Sequence, residues 1–179
     1  SVVKELVENS IDANATDIAV LIRQSGKQLI HIVDNGSGMS KPDVLVALKR
    51  HATSKIKTAD DLHKIQTLGF RGEALASIAS VANVEIRTTQ QGAQHGWKLL
   101  AEPLKPEVLE PVQQEQGTQI FIRNLFYNIP ARKKFLRSDI TEFRHISDTM
   151  MKFALSHPTL HFTFHDGDSL IFDVKPDSL

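Results

Sequence analysis

The stretch Val2-Val3-Lys4-Glu5-Leu6-Val7-Glu8-Asn9-Ser10-Ile11-Asp12-Ala13 constrains this chain most, because its two halves demand opposite surroundings. Wound as an α-helix at about 100° per residue, it gathers Val2, Val3, Leu6, Val7, Ile11 and Ala13 on one half. Glu5, Asn9 and Asp12 follow one another at spacings of four and three. The apolar half has to be covered, and the polar stripe sets oxygens in a row. A carboxylate one turn before a carboxamide places a proton acceptor beside a hard oxygen ligand, which suits water activation next to magnesium. An amphipathic surface helix with a wet polar side gives the same pattern. Both readings stand on this stretch alone.

Beyond the helix the pattern changes to that of a sheet. Asp17 to Arg23 alternates with Ile18, Val20 and Ile22 on one side, Ser25-Gly26-Lys27 signals a turn, and Gln28 to Asp34 alternates again with Ile30, Ile32 and Asp34 on a shared side. This predicts a β-hairpin. Its second strand runs into Asp34-Asn35-Gly36-Ser37-Gly38-Met39, where a carboxylate in the core-facing register meets two glycines. Such a loop lets backbone approach a flat ligand, and the aspartate accepts from an exocyclic amine. A plain Asn-Gly turn fits equally well.

Ser40-Lys41-Pro42-Asp43 has the form of a helix start, with Ser40 as cap and Asp43 placed to close a capping box, for a helix through Val44, Leu45 and Leu48. His51-Ala52-Thr53-Ser54-Lys55 then offers hydroxyls and a lysine, suited to phosphate oxygens or to an ordinary loop. In Leu68-Gly69-Phe70-Arg71-Gly72-Glu73-Ala74-Leu75 the glycines bracket an arginine just before the helical periodicity of Ala74, Leu75, Ile78, Ala79 and Ala82. Free N–H groups and the dipole at a helix start favour an anion, so phosphate binding leads here over a tight loop packed by Phe70. No GxxxxGK[ST] string occurs, which excludes a Walker-type NTPase.

Val84 to Thr88, Trp97 to Ala101 and Thr118 to Arg123 read as further strands, with a proline- and glutamate-rich excursion from Glu102 to Glu115 before the last. Arg132, Lys133 and Lys134 form a basic cluster fit for phosphate backbone or for a solvated helix face. Asp139 is the expected cap of a helix burying Ile140, Phe143, Ile146, Met150 and Phe153, and Asp166-Gly167 joins two closing strands. Equal numbers of basic and acidic residues, 21 each, give no global pull toward DNA or membrane. There is no cysteine, and the eight histidines lack metal-ligand spacing. With 179 residues, 41% of them hydrophobic, one domain is expected. No apolar run reaches membrane-spanning length, so a soluble intracellular protein is the expectation. The chain opens inside a helix without a visible cap, as a piece of something longer would.

Together, Glu5 to Thr16 (ELVENSIDANAT), Asp34 to Met39 (DNGSGM), His51 to Lys55 (HATSK) with Gly69 to Leu75 (GFRGEAL), and Gly117-Thr118 resemble the four ATP-site motifs of the gyrase, heat-shock chaperone, histidine-kinase and MutL superfamily. HATSK, GFRGEALASI and NIPARKKFL resemble the MutL family of DNA mismatch repair proteins in particular, and the resemblance covers essentially the whole chain. It implies a Bergerat-type ATP-binding fold, an α/β (α+β) two-layer sandwich with a mixed, largely antiparallel sheet and helices on one face. It implies Glu5 as general base and Asn9 as ligand of a magnesium ion bridging the phosphates. Asp34 would accept the adenine amino group with Thr118 assisting through water, and Gly36, Gly38 and Met39 would belong to the same nucleotide site. Thr53, Ser54 and Lys55 would line the phosphates, and Gly69, Phe70, Arg71, Gly72, Glu73, Ala74 and Leu75 would close over them as a lid.

The family resemblance further implies ATP-driven dimerisation and slow hydrolysis that couple mismatch recognition to strand incision. Implied partners are a mismatch-recognition protein, a downstream nuclease or helicase and, weakly and without sequence specificity, DNA; no membrane is involved. The location implied is the cytoplasm for a bacterial source, or the nucleus for a eukaryotic one. Residues 1–179 would be one ATP-binding domain lacking an N-terminal dimerisation segment and a following transducer domain, so nucleotide binding is expected ahead of turnover. Asn14 and Ile129 depart from the glycine and threonine usual in the family. A nucleotide-independent DNA- or partner-binding module, or another ATPase of the superfamily, is the alternative. No endonuclease metal motif is visible.

Overall fold

The computed structural model describes residues 2–49, 74–128 and 138–177. Helix α1 (Val2–Asp12) precedes the hairpin β1 (Asp17–Arg23) and β2 (Leu29–Asp34), followed by α2 (Lys41–Lys49) and the short α3 (Ala74–Ile78). Then come β3 (Asn83–Thr89), β4 (Gly96–Ala101), β5 (Val108–Val112) and β6 (Gly117–Arg123), the long α4 (Asp139–Ser156), and the hairpin β7 (His161–Asp166) and β8 (Ser169–Val174). The eight strands form one sheet in the order β5-β4-β3-β6-β2-β1-β7-β8. Neighbours are antiparallel except β1 and β7, which run parallel. This is the mixed, largely antiparallel α+β sandwich expected from the motifs.

Period-two alternation decides the sheet's two faces. Ile18, Val20, Ile22, Ile30, Ile32, Val84, Ile86, Leu99, Ile120, Ile122, Phe162 and Phe164 point to one side and are almost fully buried. Val3, Leu6 and Val7 of α1, Val44 and Leu48 of α2, and Ile146, Met150 and Ala154 of α4 join them in a single core. Each such side chain contributes roughly 1.5–3 kcal/mol by leaving water. The opposite face is mixed: His31 stacks on Phe121 at 3.9 Å, Arg87 and Arg123 lie over the same ring, and both pair with Glu85. Burial holds the His31 imidazole below its ordinary value, reinforced by the two arginines against the hydrogen bond to Gln119.

Several expectations need correction. The excursion from Glu102 to Glu115 contains an edge strand, β5, in which Pro111 opposes Trp97. Proline is tolerated there because an edge strand leaves one side of its backbone unpaired. The cap of α4 is Ser138, whose hydroxyl accepts from the Thr141 N–H, and not Asp139. Asp139 instead receives Lys27 Nζ at 2.6 Å and, on its carbonyl, Ser25 Oγ at 2.7 Å. That polar anchoring of the first turn leaves Ile140 in solvent, 72% exposed, off the buried stripe. The helix from Ala74 stops at Ile78, although Ala82 beyond it is still buried. Ser40 caps α2 as expected, accepting from the Asp43 N–H at 3.3 Å. No helix among the described residues is long and apolar enough to cross a membrane.

At the parallel junction, His161 Nε2 meets Asp173 Oδ1 at 2.6 Å and Nδ1 meets Asp17 Oδ2 at 3.1 Å. The hydrogen bond to Asp173 holds this imidazole above its ordinary value, with Asp17 adding to it and desolvation opposing. A raised folded-state value means stabilisation that is fully present below about pH 6.5 and lost as pH rises through the elevated value. The groups are exposed enough for the effect to be small. His161→Gln should therefore lower the melting temperature relative to the parent near pH 5.5, with the gap closing by about pH 8.5. For the core, Met150→Ala should cost about 2–5 kcal/mol in urea unfolding. Ile140→Ala should stay within roughly 0.5 kcal/mol.

Candidate functional site

Strand β2 carries its alternation to its last residue, so Asp34 enters the inward register behind Ile30 and Ile32. The strand stops there because Gly36 turns the chain, donating its N–H to Asp34 Oδ1 at 2.9 Å in an Asx turn. The same oxygen accepts the Thr118 N–H from β6 at 3.3 Å. Oδ2 accepts the Ser10 hydroxyl of α1 at 2.7 Å. One carboxylate thus ties together the first helix, the loop after β2 and the start of β6.

Two glycines permit the approach. Gly117, at φ 126°, lies so close to Asp34 that a Cβ would land on that residue's carbonyl oxygen. Gly38, at φ 74°, leaves no room for a Cβ against the Thr89 carbonyl. Next to it, the Met39 N–H donates to Thr88 Oγ1 at 2.8 Å, and that oxygen lies 2.8 Å from Thr118 Oγ1. The end of α1 is fixed to the same loop: the Ser37 N–H donates to the Ala13 carbonyl at 2.9 Å, and Asn35 Oδ1 accepts from the Thr16 and Asp17 N–H groups. Asn14 between them has φ 60°. Asparagine enters this left-handed conformation more readily than most other side-chain-bearing residues, so the turn forms without a glycine.

Of the expected site residues, Asp34, Gly36, Gly38, Met39 and Thr118 come together at the ends of β2, β3 and β6. Glu5 and Asn9 lie one turn apart on α1, the helix that also supplies Ser10. Glu5 is buried, at 4% exposure, Asn9 is half-buried and Asp12 is exposed, so only the far end of the stripe is a wet helix face. Ala74 begins α3 and Leu75 is buried within it. Thr53, Ser54, Lys55, Gly69, Phe70, Arg71, Gly72 and Glu73 lie outside the described residues, as does the basic cluster of Arg132, Lys133 and Lys134. Ser10, inside the ELVENSIDANAT string but given no role there, and Thr88, outside every motif, also join the site. Their signal is a hydroxyl at a core position, Ser10 after Val3, Leu6 and Val7 and Thr88 after Val84 and Ile86, where a polar group requires a partner. Among the described residues no group of three or more His, Asp or Glu side chains is placed to hold a metal ion.

The sequence model of the histidine kinase-, DNA gyrase B- and HSP90-like ATPases matches residues 1–120. The chain belongs to this ATPase family. Within it, the chain is 51% identical over 175 residues to the DNA mismatch repair protein MutL of Chlorobaculum tepidum, covering 98% of this chain and 28% of that protein. It is 48% identical over 179 residues to MutL of Flavobacterium psychrophilum, covering 100% of this chain and 29% of that one. The chain thus spans less than a third of the length of these relatives. The solved Aquifex aeolicus MutL ATPase domain complexed with ADP superimposes with a TM-score of 0.81 at 32% identity, over 99% of this chain and 63% of that one. The resemblance to MutL carried by HATSK, GFRGEALASI and NIPARKKFL is borne out.

In this ATPase fold the junction of β2 and β6 depends on glycine at position 117. Gly117→Ala places a side chain at a positive φ and against backbone that cannot yield, so a loss on the order of 2–4 kcal/mol is expected. Thermal and urea unfolding of the variant beside the parent measure it.

Proposed function

We propose that the chain binds ATP with magnesium and hydrolyses it slowly, as the nucleotide switch of a DNA mismatch repair protein. The observation that carries this reading is the Asp34 carboxylate, which accepts three hydrogen bonds from α1, its own loop and β6. A carboxylate has about four acceptor positions. The remaining one, on Oδ2, suits the exocyclic amine of adenine, with Thr118 beside it and the backbone of Gly36, Gly38 and Met39 forming the wall. The ADP complex of the Aquifex aeolicus relative supports a nucleotide in this fold.

The donor set also fits magnesium, which takes one or two protein oxygens and completes its shell with phosphate and water. Asn9 supplies such an oxygen one turn from Glu5. When bound, the metal–nucleotide pair supplies a γ-phosphate whose charge is partly neutralised. Glu5 accepts the proton of the attacking water; its burial on α1 keeps it away from bulk solvent that would compete for that proton. By the family resemblance, Thr53, Ser54, Lys55 and the Gly69 to Leu75 segment would serve the phosphates.

In the whole protein, nucleotide binding drives dimerisation, and hydrolysis resets the state. The partners of that cycle are a mismatch-recognition protein, a downstream nuclease or helicase, and DNA held weakly and without sequence preference. The chain is one ATP-binding domain of that longer protein, which works in the cytoplasm of a bacterium.

Calorimetric titration of magnesium with a non-hydrolysable ATP analogue should show binding to the parent chain and at least a tenfold loss in Asp34→Asn, about 1.4 kcal/mol. Asn9→Ala should lose the magnesium-dependent part of the affinity. Glu5→Ala should bind as the parent does while its phosphate release falls by about 10²–10⁴. Turnover that survives Glu5→Ala unchanged would contradict the assigned base.

A further inference from the structure

Thr88 Oγ1 is fully buried, at 0% exposure, and carries one hydrogen and two lone pairs. The Met39 N–H donates into it at 2.8 Å, and Thr118 Oγ1 lies 2.8 Å away. Two hydroxyls in contact can share a hydrogen in either direction. Burial decides between them, because the hydrogen of Thr88 has no access to water and an unsatisfied buried donor is costly. Among the described residues, Thr118 Oγ1 is the acceptor within its reach. Thr88 therefore donates to Thr118, and the hydrogen of Thr118 is turned away from Thr88.

Thr118 keeps 9% exposure and stands directly opposite Asp34 in the β2–β6 ladder. The mouth of the site then presents an acceptor, Asp34 Oδ2, beside a donor, the Thr118 hydroxyl. That order complements an amine next to a ring nitrogen, the edge that adenine offers. Guanine offers a carbonyl next to a ring N–H, the reverse order. A water between Thr118 and the base transmits the same polarity, since it accepts from the hydroxyl and donates onward.

We infer that Thr88 is a positioning residue which fixes the donor direction of Thr118 and thereby the preference of the pocket for adenine over guanine. The inference rests on the adenine-nucleotide reading of the Asp34 site. Without the Thr88 hydroxyl, Thr118 is free to turn and accept, and the order of donor and acceptor is no longer imposed.

The test is calorimetric titration of magnesium with ADP, and separately with GDP, into the full 179-residue chain and its variants. Thr88→Val should reduce the ADP-over-GDP affinity ratio by about tenfold or more, while Thr88→Ser, which keeps the hydroxyl, should retain it. A role in packing alone would weaken both nucleotides alike and leave the ratio untouched, and that result would overturn the inference. Binding of 1-deaza-ADP, which lacks the ring acceptor beside the amine, reads the direction of Thr118 in the unsubstituted chain, so the test does not depend on the valine variant folding. Equal affinity for ADP and 1-deaza-ADP would also overturn the inference. Asp34→Asn separates the two levels. If it binds ADP as the parent does, the pocket reading falls and this inference with it. If it loses ADP while Thr88→Val keeps the parent's ratio, the inference alone falls.

Discussion

A carboxylate with too many suitors organises this molecule. Asp34 sits at the end of a strand whose register sends it inward, where a charged oxygen is tolerated only when hydrogen bonds replace the water it gives up. Ser10, the Gly36 N–H and the Thr118 N–H supply them. Each comes from a different part of the chain, so satisfying one side chain fixes the first helix, the glycine loop and β6 against one another. The same requirement explains the glycine at 117, since the backbone that delivers the Thr118 donor approaches Asp34 more closely than a Cβ allows.

The sheet separates two kinds of chemistry. Its inner face is dry and aliphatic, and the polar atoms that do enter it, Ser10, Asp34, Thr88 and Thr118, are gathered at one end and bonded to each other or to nearby backbone. A low-dielectric surround of this kind makes each hydrogen-bond direction costly to reverse. The outer face instead carries Glu85, Arg87, Arg123, His31 and Phe121 in ion pairs and ring contacts. Glu85 is buried among them, while the two arginines reach toward solvent. The proposed nucleotide site lies at this end of the inner face.

Much of the architecture is legible in the sequence because it rests on local rules. The β1–β2 hairpin, the strands β3, β4 and β6, the cap at Ser40 and the closing hairpin around Asp166-Gly167 all follow from alternation and turn chemistry. The Pro111 strand does not, because edge pairing rescues a sequence that local propensity discourages. Ile140 escapes its expected burial because helical periodicity gives the face of a helix but not how far along its length a neighbour extends. In the site, Asp34, Gly36, Gly38, Met39 and Thr118 are legible from motifs. Thr88 lies in no motif, and the bonds that Ser10 and Thr88 make are not legible, because their partners are 24 and 30 residues away in sequence.

The amino-acid sequence by itself determined most of the elements and the family, because periodicity, turn residues and motif spacing act over a few positions. Only the tertiary structure decided that Glu5 is buried, that Asp34 has three of its acceptor positions already filled, and that the Thr88 and Thr118 hydroxyls meet. Those are properties of exclusion from water and of contacts between distant segments. They exist once the helices have closed over the sheet, and no window of sequence contains them.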